Sequence, residues 1–100
     1  MKIVSKRFIF DLVTTDGVKG YNVYYGTTAL TYDSTKKSFD VVPGKLTYEI
    51  KLPEDIPITE GQWNIGASTF DEAGNESDIA TISYFFDLTA PATPKNLKVS

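Results

Sequence analysis

The densest group of chemically capable side chains is a short acidic run, Asp71-Glu72-Ala73-Gly74-Asn75-Glu76-Ser77-Asp78. Asp71, Glu72, Asn75, Glu76 and Asp78 carry oxygen atoms of the kind calcium takes, but their spacing does not follow an EF-hand loop. The same residues suit a tight turn. Asp71 and Asn75 can accept hydrogen bonds from nearby backbone amides, and Gly74 can take a positive φ. The turn is the simpler account, so these five remain weak calcium candidates. No metal or cofactor is expected, and the fold should not depend on one. Asn75-Glu76-Ser77 also spells a glycosylation acceptor, in residues that the turn itself would choose.

Catalysis has little to work with. The chain has no histidine and no cysteine, so the usual general base and the usual nucleophile pairings are missing. Thiolate and imidazole metal sites are excluded with them, and no carboxylate pair lies in a recognisable motif. A non-catalytic protein is expected. Ten Lys and Arg face thirteen Asp and Glu, for a net charge of −3. The longest basic run is Lys36-Lys37, so a nucleic-acid partner is not expected, because phosphate contacts need clustered cations. No apolar stretch approaches the roughly 20 residues of a membrane span. Lys2, Lys6 and Arg7 precede no apolar h-region, so no signal peptide is expected in these residues.

Three aromatic residues, Tyr24, Tyr32 and Phe85, fall at outward or edge positions of the strands described next. Exposed rings can stack on sugars or anchor a protein partner. They can also simply pack across strands on a solvent-facing sheet, and that reading is preferred.

Everything around these residues has period two. Lys45 to Leu52 alternates polar and apolar without a break, which puts Leu46, Tyr48, Ile50 and Leu52 on one face of a strand. Phe8, Phe10 and Leu12 form a second inward set. Tyr21, Val23 and Tyr25 form a third, Trp63, Ile65 and Ala67 a fourth, and Ala80, Ile82, Tyr84 and Phe86 a fifth. Asp16-Gly17, Asp33 to Lys37, Pro43-Gly44, Glu60-Gly61 and Gly74-Asn75 supply turns between them. Pro53 and Pro57 bound a segment that cannot be a central strand, since proline donates nothing to a ladder. No stretch carries a helical stripe. One hundred residues, 41% of them hydrophobic and 13% aromatic, suffice for one core without a disulfide. About seven short antiparallel strands in a β-sandwich are expected.

Three segments resemble fibronectin type III domains, especially bacterial and phage ones. Val18 to Gly26, VKGYNVYYG, is similar to that family's third strand. Gly61 to Ser77, GQWNIGASTFDEAGNES, is similar to its sixth strand and the turn after it. Leu88 to Ser100, LTAPATPKNLKVS, resembles the linker and first strand that open a following module. Two positions depart from the family: Leu12 and Val13 stand where a second-strand Trp is usual, and Trp63 replaces a Tyr. Met1 to Ser5 would be an abbreviated first strand.

The resemblance implies an immunoglobulin-like sandwich over residues 1–87, with 88–100 a proline-punctuated linker and the start of a possible next module. It also implies a structural spacer in a larger extracellular, cell-surface or virion protein, with neighbouring domains of the same chain as partners. The alternative it leaves open is an adhesion module that binds glycan or protein through its end loops or exposed aromatics.

Overall fold

A computed structural model describes all residues from Met1 to Ser100. The protein is all-β, with six strands and no helix: β1 (Lys6–Asp11), β2 (Gly20–Gly26), β3 (Lys36–Asp40), β4 (Thr47–Leu52), β5 (Gly61–Phe70) and β6 (Ala80–Phe86). β1 and β4 make one antiparallel sheet, and β3-β2-β5-β6 make the other in that order. All four pairings are antiparallel.

Period two in the sequence becomes burial in the structure. Tyr48, Ile50 and Leu52 of β4 are buried and their neighbours exposed. With Phe8 of β1 they meet Tyr21 and Val23 of β2, Ile65 of β5 and Phe86 of β6, so the two sheets pack face to face. Aromatic rings dominate the contact. Tyr21 lies 4.7 Å from Tyr48, 5.2 Å from Phe10 and 5.1 Å from Phe39, centroid to centroid, distances at which such pairs add to the energy of burial. Trp63 packs against the core while half-buried, and its indole N–H donates to the Thr59 carbonyl at 2.9 Å.

The segment between Pro53 and Glu60 is not a strand, as its prolines require, yet it contributes two core residues. Ile56 and Ile58 are buried and close one end of the sandwich. Asp55 fixes the segment, accepting from the Lys51 amide and donating its own amide to the Lys51 carbonyl, each at 2.8 Å. Its flanking carboxylates hold both chain exits at the same end. Glu54 accepts from the Ser5 hydroxyl. Glu60 accepts from the Thr89 hydroxyl and, at 3.2 Å, from the Leu88 amide.

Three sequence expectations need correction. Met1 to Ser5 joins no sheet, which leaves six strands rather than about seven. Ile3 and Val4 are adjacent, so they cannot share a strand face, and Ser5 is tied to Glu54. Lys36 and Lys37, read as turn, open β3. Their strand is drawn in by Phe39, which stacks on Tyr21. Ile82 and Tyr84 lie on the core-facing side of β6, but they are 53% and 44% exposed because the opposite sheet is only two strands wide, and Leu46, expected inward, precedes β4 and is exposed as well.

Residues 88–100 form no strand, and Leu97 and Val99 are exposed. The radius of gyration, 17.8 Å, and the longest dimension, 69 Å, exceed what a compact chain of this length takes, about 13 Å for the former. The extended tail accounts for the difference.

Candidate functional site

The outer face of the four-stranded sheet holds the most developed polar arrangement, built by the acidic turn. After Phe70 the chain folds back through Asp71 to Asn75. The Asp71 amide donates to the Asn75 carbonyl at 3.0 Å, and the Gly74 amide to the Asp71 carbonyl at 3.1 Å. The Asp71 carboxylate accepts from the Asn75 amide at 2.8 Å and from its side chain at 3.0 Å. These bonds hold the carboxyl below the usual Asp range. Gly74 has φ 88°, the conformation that the sequence predicts for it.

A bridge between Phe70 and Glu76 then turns the Glu76 side chain under the loop and onto the sheet. One oxygen, Oε2, accepts from the Tyr24 hydroxyl at 2.5 Å and from the Ser68 hydroxyl. Beside it, Ser38 donates to Asn22 at 2.5 Å, and the Lys36 ammonium lies 5.6 Å from the Tyr24 ring centroid. Burial opposes ionisation of Glu76. The hydrogen bonds from Ser68, Tyr24 and Asn22, with the Lys36 charge, outweigh it and hold the carboxyl below its usual range. Tyr24 is pushed up to about 12, first by burial and then by its bond to the Glu76 carboxylate and that carboxylate's charge.

Tyr24, read from the sequence as an exposed ring, is instead covered. It does point away from the core, as alternation with Val23 requires, but it is 0% exposed. The reason is Gly66, its partner on β5. A Cβ at Gly66 would lie 2.6 Å from Ile79 Cγ2 and 2.9 Å from Leu30 Cδ1. The bare backbone thus lets two loops close over the outer face and bury the neighbouring tyrosine. A glycine inside a strand is the signal in the sequence that could have located this close approach.

Tyr32 and Phe85 are exposed but far apart in the fold. Tyr32 stands edge-on to Tyr24 at 6.5 Å and donates to the Ser77 carbonyl at 2.9 Å. Phe85, opposite Gln62, borders the hollow lined by Ile3, Val4 and Pro91 at the end where the chain exits. They do not form one surface.

The calcium candidates also diverge. Asp71 is spent on Asn75, Glu72 pairs with Lys19 at 3.6 Å, and Glu76 is turned inward. The Asp78 carbonyl accepts from the Ser77 hydroxyl at 3.0 Å. No three acidic side chains of the chain are grouped to hold a metal ion. What Glu76, Tyr24 and Ser68 accomplish is mechanical: they pin the turn to the sheet.

No protein-family model matches the chain, and neither a curated protein nor a solved structure matches it.

Proposed function

We propose that the chain is a fibronectin type III-like module of immunoglobulin-like topology, acting as a non-catalytic structural spacer or connector in a larger extracellular, cell-surface or particle protein. Two features support the topology. β1 pairs only with β4, and β2 lies between β3 and β5 with β6 beyond. With the first strand left out, β1 and β4 correspond to the second and fifth strands of such a sandwich, and β2, β5 and β6 to the third, sixth and seventh.

The observation that carries the functional reading is how the chain leaves the sandwich. Residues 88–100 run out as an exposed segment with Pro91 and Pro94, and Glu60 fixes its root. Proline-rich segments of this kind are semi-rigid spacers. The candidate polar site points the same way, because its carboxylate is engaged by the protein's own hydroxyls.

A glycan array, combined with binding to immobilised surface proteins, tests the proposal. A spacer gives no saturable binding to either. Saturable binding that Tyr32→Ala or Phe85→Ala abolishes would replace it with the adhesion reading, in which an exposed ring stacks on the ligand.

A further inference from the structure

The sandwich is open along one side. A trough runs between the free edge of β1 and the inner face of β6. Its wider part, about 320 Å³, lies beside Phe10 to Thr14 and Ala80. Its narrower part, about 150 Å³, lies beside Lys6 to Phe8, Ile82 and Tyr84. The two follow one another along both strands, so together they are one strand long.

The edge of β1 has its backbone groups available. The Leu12 amide donates to the Leu46 carbonyl at 2.7 Å. By the alternation of antiparallel ladders, Arg7, Ile9 and Asp11 then direct their amides and carbonyls away from β4, toward the trough. No strand pairs there. Unpaired edges of this kind template the addition of a strand.

The chain carries a segment that matches. Asn96-Leu97-Lys98-Val99-Ser100 alternates, with Leu97 and Val99 on one face. These two are 82% and 102% exposed. Charge complements shape. Residues 88–100 hold two Lys and no acid, while residues 1–87 hold eight Lys and Arg against thirteen Asp and Glu. Asp11 and Asp78 line the wider part of the trough. An antiparallel register that sets Leu97 opposite Leu12 and Val99 opposite Phe10 places Lys98 opposite Asp11, a favourable cross-strand pair.

The chain's own tail is directed elsewhere. Glu60 holds Leu88 and Thr89 at the end where β1 begins, so a tail folded back would run parallel to β1, the less stable pairing. Met1 to Ser5 is tied at Ser5 to Glu54.

We propose that the trough is a strand-accepting site and that its occupant is residues 96–100 of a second copy of this chain. Donor and acceptor are different surfaces, so the contact is head-to-tail. It either closes reciprocally between two copies or runs on into a chain of them. The inference stands independently of the spacer reading.

Isotopically labelled Leu97→Ser/Val99→Ser chain, with its own tail disabled, serves as the acceptor, and unlabelled wild-type chain is titrated into it. The expected result is a saturating shift of the Ile9 and Asp11 amides and the Ala80 methyl, with slowed exchange at those amides. Ala80→Lys in the acceptor should abolish the shifts while the rest of its spectrum stays folded. The proposal is overturned by the absence of shifts at millimolar donor, by shifts centred elsewhere, or by equal shifts when the donor also carries Leu97→Ser/Val99→Ser. Concentration-independent protection of residues 96–100 in the wild-type chain would also overturn it, by showing the tail seated on its own sandwich.

Discussion

Glu76 is the residue whose chemistry the fold exploits most fully. Its carboxyl is held below the ordinary value of 4.5 by hydrogen bonds from Ser68, Tyr24 and Asn22 that outweigh burial. A depressed carboxyl stabilises the folded state above its unfolded pKa, and the contribution is lost as pH falls from about 4.5 through the folded value. Unfolding free energies measured between pH 7 and pH 3 should therefore fall with acid. In Glu76→Gln they should start lower, by about 1–2 kcal/mol for the lost charged hydrogen bonds, and fall less steeply. An unchanged slope would remove Glu76 from that role. Gly74 gives a second test at this scale. An added Cβ meets nothing within 4 Å, so any cost of Gly74→Ala comes from φ alone, about 1 kcal/mol. A variant as stable as the parent would show that the turn relaxes to negative φ. The Asp71–Asn75 half of the turn was legible in the sequence because its bonds are local. Glu76 was not: several acids compete in the run, and the choice is made by Tyr24, separated from it by 52 residues.

At the scale of elements, alternation located β1, β2, β4, β5 and β6 and their core faces, because period two is imposed by the pleat itself. It missed what depends on distant cover. Ile56 and Ile58 flank Pro57, which bars them from a ladder, and only the open end of the sandwich makes them core. β3 carries one apolar residue, Phe39, and exists because Tyr21 offers it a stacking partner. Gly66 marks the other hidden packing layer. Gly66→Ala would drive a methyl against Ile79, Leu30 and the Ala80 carbonyl. Overpacking of this sort costs about 1–3 kcal/mol, and the loops should lift from Tyr24. The expected readouts are a lower melting temperature and faster exchange in residues 71–79. If stability instead rises, as Gly→Ala does at compatible strand sites, the close approach at Gly66 is not maintained in solution.

For the whole molecule, the sequence indicated two sheets around one core and a separate tail, but not that Met1 to Ser5 joins neither sheet or that a trough lies open beside β1. Ser5 is held by Glu54, 49 residues away, a contact that no local pattern encodes. The divergent acids of the 71–78 turn imply a fold indifferent to calcium. Millimolar calcium should leave the melting temperature within about a degree, whereas a native-state ligand well above its Kd would raise it by several. In dilute solution the amides of residues 95–100 should exchange at the rates of an unstructured chain. Slow exchange there in a demonstrated monomer would mean that the tail has found a place on its own sandwich.

The segment 53–60 has a mechanical consequence. Because Glu54 and Glu60 gather both chain exits at one end, a pull between Met1 and Leu88 does not shear the sheets along their length. It separates β1 from β4 and β6 from β5 one ladder bond at a time, beginning at Lys6 and Phe86. Threaded into a longer polypeptide through those two exits, the sandwich would yield by peeling, with the two glutamate clasps bearing the first load.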